Sequence, residues 1–220
     1  MLLDTQGRVF LWRYWVFCGL YERPMKHYLL FLLLLFLVCS CTTSQLEQLQ
    51  IAIVTGDTEA VSALIANGVD INAKLDDAGY TPLMSAAGNS QLEIVRLLIS
   101  NGAKVNTLDD YGHTALYYST QLAPVAAGIP EELIRSGSDI NLGESVVYAA
   151  ANKGFMQLVE LLIENGADIN KKSGFGDTPL KRMINIENSP TWPKEEKPIY
   201  REIATILRNH GAIEPVTTKE

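Results

Sequence analysis

One helix ending occurs five times along these 220 residues, and it limits the fold more than any other feature. Asn67-Gly68, Asn101-Gly102, Ser136-Gly137, Asn165-Gly166 and His210-Gly211 each close an apolar stretch with a glycine suited to the left-handed position after a helix. Shortly afterwards the chain turns extended, at Asp70-Ile71-Asn72, Lys104-Val105-Asn106, Asp139-Ile140-Asn141 and Asp168-Ile169-Asn170, with the apolar middle residue directed inward. A second marker opens the units: Thr81-Pro82-Leu83, Thr114-Ala115-Leu116 and Thr178-Pro179-Leu180. The threonine side chain takes an orphan backbone N–H, and proline has none to orphan. Ser145-Val146-Val147 and Glu47-Gln48-Leu49 stand at the same offset in degenerate form. A period of this length specifies units that bury their apolar faces only by stacking on one another.

The fullest unit runs Asp77-Ala78-Gly79-Tyr80-Thr81-Pro82-Leu83, Ala86-Ala87, Leu92-Glu93-Ile94-Val95-Arg96-Leu97-Leu98, Asn101-Gly102-Ala103 and Asn106, and it resembles the ankyrin repeat. The resemblance spans residues 46–214 and implies an all-α repeat solenoid of about five stacked helix-turn-helix units with short β-hairpin connections. Met84 departs from it, standing where the family usually has a hydrogen-bonding histidine. Ile94, Leu97 and Leu98 share one helix face, and Ala86 with Ala87 permits close approach of neighbouring helices.

The glycine markers are 34, 35, 29 and 45 residues apart, so loops change length in the later units. Leu142-Gly143-Glu144 is too short for a projecting finger, and the fourth unit is expected to lack one. In the fifth, Asn188 to Pro198 lengthens the link between helices and carries Trp192, either as a recognition loop or as a cover for the last repeat. In the third, Gln121 to Pro130 replaces the usual helix-turn-helix, and helix clearly resumes only over Glu131–Arg135.

From Met25 the chain reads MKHYLLFLLLLFLVCSC. The apolar run from Tyr28 to Val38, 11 residues, is well short of the ~20 that span a bilayer and has the form of a signal peptide. Val38-Cys39-Ser40-Cys41 resembles the bacterial lipobox, which implies lipidation of Cys41; Thr42 after it resembles outer-membrane sorting. Acyl chains contribute about 0.8 kcal/mol per buried methylene and hold a protein on a membrane without a spanning helix. Met25 is read as the start, with an extended leader as the alternative. The expected layout is leader and signal peptide over 1–40, lipidated tether over 41–45, repeats over 46–214 and tail over 215–220. The expected location is the bacterial envelope, facing the periplasm from the outer membrane.

Of the 18 Lys plus Arg and 25 Asp plus Glu, four basic and two acidic residues precede Cys41, which leaves the working region at −9. Such a surface repels phosphate backbones and anionic headgroups, so nucleic acid is not an expected partner, membrane contact is through the lipid alone, and a basic protein suits it. Cys18, Cys39 and Cys41 all precede the repeats, so these hold no disulfide. His113 and His210 have no companion at ligand spacing, and phosphate-loop, nucleophile-elbow and His-Glu-x-x-His patterns are missing. Neither enzymatic activity, a cofactor, a metal nor a small-molecule substrate is expected.

The resemblance implies that finger tips and first-helix faces carry a protein partner. That assigns binding to Asp76, Tyr80, Asp109, Tyr111, His113 and Phe175 on fingers, to Tyr117, Tyr118 and Tyr148 on first helices, and to Trp192. Asp77, Asp110 and Asp177 sit where local hydrogen bonds commonly hold the turn. Small lipid-anchored ankyrin proteins resemble immunity proteins that neutralise incoming toxins such as lipase effectors. The alternative resemblances are to helpers of an envelope enzyme such as a periplasmic catalase, and to an envelope scaffold.

Overall fold

The computed structural model describes residues 44–121 and 128–214. The lipidation candidate Cys41, the leader and part of the irregular third unit therefore lie outside the described residues. Among the described residues ten helices form five pairs: α1 (Gln45–Thr55) with α2 (Thr58–Ala66), α3 (Pro82–Gly88) with α4 (Leu92–Ser100), α5 (Ala115–Tyr118) with α6 (Ile129–Arg135), α7 (Val146–Asn152) with α8 (Met156–Glu164), and α9 (Pro179–Asn188) with α10 (Lys197–Asn209). First helices pack on first helices, α1 on α3, α3 on α5, α5 on α7 and α7 on α9; α2, α4 and α6 form a second layer that α8 and α10 continue.

The start signals work as their chemistry requires. Thr81, Thr114, Ser145 and Thr178 are all N-caps whose hydroxyl oxygens accept the backbone N–H three residues on, at 3.2–3.3 Å. Met84 is buried, and its sulfur accepts the Thr81 N–H at 3.4 Å, completing a reciprocal cap with a weak acceptor. Two starts differ from expectation. Glu47 lies in the first turn of α1, two residues beyond its first residue Gln45; Ser44 stands just before that residue and Glu47 three positions after the serine, the spacing of a capping box. Helix α6 begins at Ile129, since Pro130 is tolerated in a first turn.

One continuous core joins the pairs. Ile94, Val95 and Leu98 of α4 are buried against Leu83, Ala86 and Ala87 of α3, and Leu158, Val159 and Leu162 repeat the arrangement in α8. Val147, Ala150 and Ala151 on α7 keep its interior side small, so that it packs closely between α5 and α9.

A polar ladder holds the register between units. The Asp70, Asp139 and Asp168 carboxylates each accept the backbone N–H of the asparagine two residues on, at 2.9 Å, and the intervening Ile71, Ile140 and Ile169 are buried. Each asparagine side chain then reaches the following unit with both of its groups. Asn72 donates to Gly102 O (3.2 Å) and accepts from Lys104 N (2.8 Å). Asn106 does the same with Gly137 O and Asp139 N, and Asn141 with Gly166 O and Asp168 N. At the last step Asn170 accepts from Ile213 N at 2.8 Å, but its bond to Gly211 O lengthens to 3.5 Å.

Among the described residues the fingers contain no β-strand. Each hairpin connection is closed by one cross-bond, Leu75 N to Tyr80 O, Asp109 N to His113 O or Ser173 N to Asp177 O, around a turn with a left-handed glycine. In the fifth unit the long link between α9 and α10 is tied down by Lys197 Nζ, which donates to Glu187 O and Ser189 O.

Asn106→Ala and Asn141→Ala each remove two hydrogen bonds and are expected to cost about 1–2 kcal/mol, with Asn170→Ala costing less. Thermal midpoints of the three variants check this; a drop in Asn170→Ala as large as in the others would sink the ranking.

Candidate functional site

The described fingers share a local plan. Its first side chain accepts backbone N–H groups from the turn it opens: Asp76 Oδ1 takes Tyr80 N (2.9 Å), and Asp109 Oδ1 takes Tyr111 N (3.0 Å) and His113 N (2.8 Å). Ser173 takes this role in the fifth unit, accepting Phe175 N at 3.3 Å. The tip residue two positions on is Ala78 in the second unit, but Tyr111 in the third and Phe175 in the fifth, 69% and 90% exposed.

The fourth unit has no finger, as its short linker requires. Its chain passes close under the third, with Glu144 N donating to Gly112 O at 2.8 Å. Gly143 sits at φ +67°, where an added Cβ would lie 2.1 Å from Gly112 O, so that glycine is demanded by space as well as conformation. Elsewhere a finger carbonyl receives the next finger, as Ala78 O receives Asp110 N at 2.9 Å. Here the Glu144 carboxylate replaces the missing carbonyl, and its Oε2 accepts Gly174 N at 3.0 Å.

The missing finger leaves a groove of about 440 Å³ between the third and fifth. Tyr111 and His113 form one side and Ser173, Gly174 and Phe175 the other; Tyr117, Glu144, Ser145 and Tyr148 complete the lining. The His113 ring stacks on Tyr117 with centroids 4.0 Å apart and planes 4° from parallel, and Tyr111 continues the series at 6.0 Å. His113 Nδ1 is buried 3.5 Å from Asp109 Oδ2, within reach of charge attraction but outside hydrogen-bond geometry. Burial, and after it the Glu144 charge, raises the Tyr117 phenol above its ordinary pKa, so it remains a neutral donor.

Of the ten residues expected to bind a partner, five therefore converge on the groove: Tyr111, His113, Tyr117, Tyr148 and Phe175. Tyr80, Asp109 and Tyr118 form an internal cluster that does not line the groove but adjoins it through His113 and Tyr117. The Asp109 side chain is 1% exposed, and its Oδ2 accepts the Tyr118 hydroxyl at 2.5 Å, so it holds its finger together rather than meeting solvent. Tyr80 stands edge-on to Tyr118 at 4.8 Å. Burial pushes the Tyr80 phenol up to about 12, with Asp76 and Asp109 adding to it. Burial and the Asp109 bond raise Tyr118 likewise. Asp76 is exposed at the foot of the second finger. Trp192 packs edge-on to Tyr200 at 5.5 Å beneath the Arg182 guanidinium, covering the last helix pair rather than lining the groove.

From sequence, Glu144 belongs to the row of acidic residues at or near successive hairpins that suits a basic surface, but it was not assigned to binding, and Ser145 was read only as a helix start. The short linker and the acidic residue ending it were visible, but not that the lost finger would bring Gly174 to that carboxylate. Among the described residues, no group of three or more His, Cys, Asp or Glu is placed to hold a metal ion. No described helix is long and apolar enough to cross a membrane.

A family model described as ankyrin repeats (3 copies) matches residues 49–127, and one described as ankyrin repeat matches 111–174. Similar proteins include a B-cell lymphoma 3 protein homolog from Mus musculus, 32% identical over 64% of this chain and 26% of the relative. They also include ankyrin repeat and SOCS box protein 16 from Homo sapiens, 33% identical over 66% of this chain and 32% of the relative. The chain thus spans about a quarter to a third of the length of these relatives.

Two expectations follow. An unfolded tyrosine ionises near pH 10. Because folding raises the Tyr80 and Tyr118 values, their contribution to stability is complete below pH 10 and is lost progressively as pH rises toward 12. Denaturation midpoints from pH 8 to 12 test this; Tyr80→Phe should flatten the fall, and an unchanged slope would contradict the assignment. Gly143→Ala should cost roughly 1–3 kcal/mol through strain and the clash with Gly112, read as a lowered midpoint.

Proposed function

Because the chain belongs to the ankyrin-repeat family, we propose that it acts by gripping a protein partner in the groove left by the missing fourth finger. The observation that carries this reading is the pair of exposed aromatic tips, Tyr111 and Phe175, flanking that gap. Large exposed aromatics over a partly desolvated recess are the usual form of an interface anchor, whereas isolated exposed apolar residues are ordinary. The alignment of both tips with the gap left by the fourth unit favours the anchor.

Cys41 carries a lipid that holds the repeats on the periplasmic side of the bacterial outer membrane, and the partner is a toxin effector that acts in the envelope and is blocked there. The lipobox-like Val38-Cys39-Ser40-Cys41 after a short apolar run supports the tether. The acidic working region favours a partner with a basic contact surface.

The full chain with a C-terminal tag, cross-linked in bacterial cells that also express candidate envelope toxins, tests each part. One dominant partner should be captured and then lost in Tyr111→Ala/Phe175→Ala, whose sites are exposed enough to leave the circular dichroism spectrum unchanged. Cys41→Ser should move the protein from membrane to soluble fraction. Survival of toxin-expressing cells should depend on the intact groove; capture and survival that persist in the double variant would refute the groove as the site.

A further inference from the structure

Resting on that reading of the groove, we infer that its occupant is an arginine side chain presented by the partner. The lining combines the rings of Tyr111, His113, Tyr117, Tyr148 and Phe175 with a single carboxylate, Glu144, and includes no lysine or arginine. Glu144 Oε2 accepts Gly174 N, and among the described residues its Oε1 has no hydrogen-bond partner. Of the lysines on flanking segments, Lys153 Nζ donates to Gln121 O and Lys171 Nζ to Asn141 O, while Lys172 lines a different recess, with Asn170 and Ile213. The recess therefore offers π faces and one uncompensated negative charge, inside a working region that is itself net negative.

Occupants differ in what they do to that charge. An apolar side chain would desolvate the carboxylate without replacing its water, at a cost that offsets much of the aromatic contact. An anion is repelled by both Glu144 and the ring faces. An ammonium satisfies the carboxylate but is compact and strongly hydrated, and it makes little use of flat walls. A guanidinium is planar, weakly hydrated and always charged; it stacks on aromatic faces while its N–H groups reach a carboxylate. The stacked series Tyr111–His113–Tyr117, its planes 27° and 4° from parallel, on one side and the Phe175 ring on the other provide such walls, with Glu144 between the two fingers.

The isotopically labelled full chain in detergent micelles, titrated with a capped Gly-Gly-Arg-Gly-Gly peptide and its citrulline counterpart, distinguishes charge from shape. The arginine peptide should shift the amide signals of the groove residues saturably in the millimolar range, with the citrulline peptide about tenfold weaker. Glu144→Gln keeps an acceptor for Gly174 N and should preserve the fold while weakening the arginine peptide about fivefold or more. Phe175→Ala should weaken it as well. Equal affinity for the two peptides, indifference to Glu144→Gln, or no saturable shift at the groove would each overturn the inference. Loss of the cross-linked partner in Tyr111→Ala/Phe175→Ala would stand whatever the peptides do, so the occupant and the interface fail separately.

Discussion

A carboxamide side chain carries the same donor and acceptor as a peptide group, and this protein uses that equivalence to join one unit to the next. Asn72, Asn106 and Asn141 each offer an N–H to a carbonyl at the following helix end and accept the backbone N–H two residues beyond it. The core is apolar and would tolerate sliding, because Leu, Ile and Val faces are not directional. The carboxamide is directional at both ends, so it fixes the step between units that hydrophobic stacking only drives. Every other regularity, including the alignment of the fingers, depends on that fixed step.

The sequence made much of this legible because its signals are local. A glycine after an apolar stretch, a threonine before proline and an isoleucine between polar neighbours each report a backbone state or a burial that needs no knowledge of other units. The asparagine ladder was visible only as recurrence, since the partners of Asn106 lie 31 and 33 residues away. The start of α1 was misplaced by two residues because it was placed by the repeat offset, whereas Ser44-Gln45-Leu46-Glu47 has the serine-to-glutamate spacing of a helix start. The shortened linker of the fourth unit was readable by counting residues.

The site divides along the same line. Tyr111 and Phe175 stood out as finger aromatics, and they are exposed. Asp109 looked like their acidic companion, yet one oxygen closes its own turn and the other holds Tyr118. Residue type alone does not separate a surface carboxylate from a buried structural one; the fate of its lone pairs does. Glu144 is the converse case. Its backbone takes the place of a finger, its side chain takes the place of that finger's carbonyl, and it still reaches the recess.

A recess formed by omission has dimensions unlike those of an ordinary pocket. In a cleft between packed elements, size follows from the side chains that line it, and replacing one resizes the space. Here the spacing of the two walls is two steps of the stack, each set by helix packing distances of about 8–10 Å and locked by the asparagines. The rings inside can be exchanged without moving the walls. Geometry and chemistry are thereby encoded in different residues, and selection can alter what the recess recognises while leaving its width unchanged.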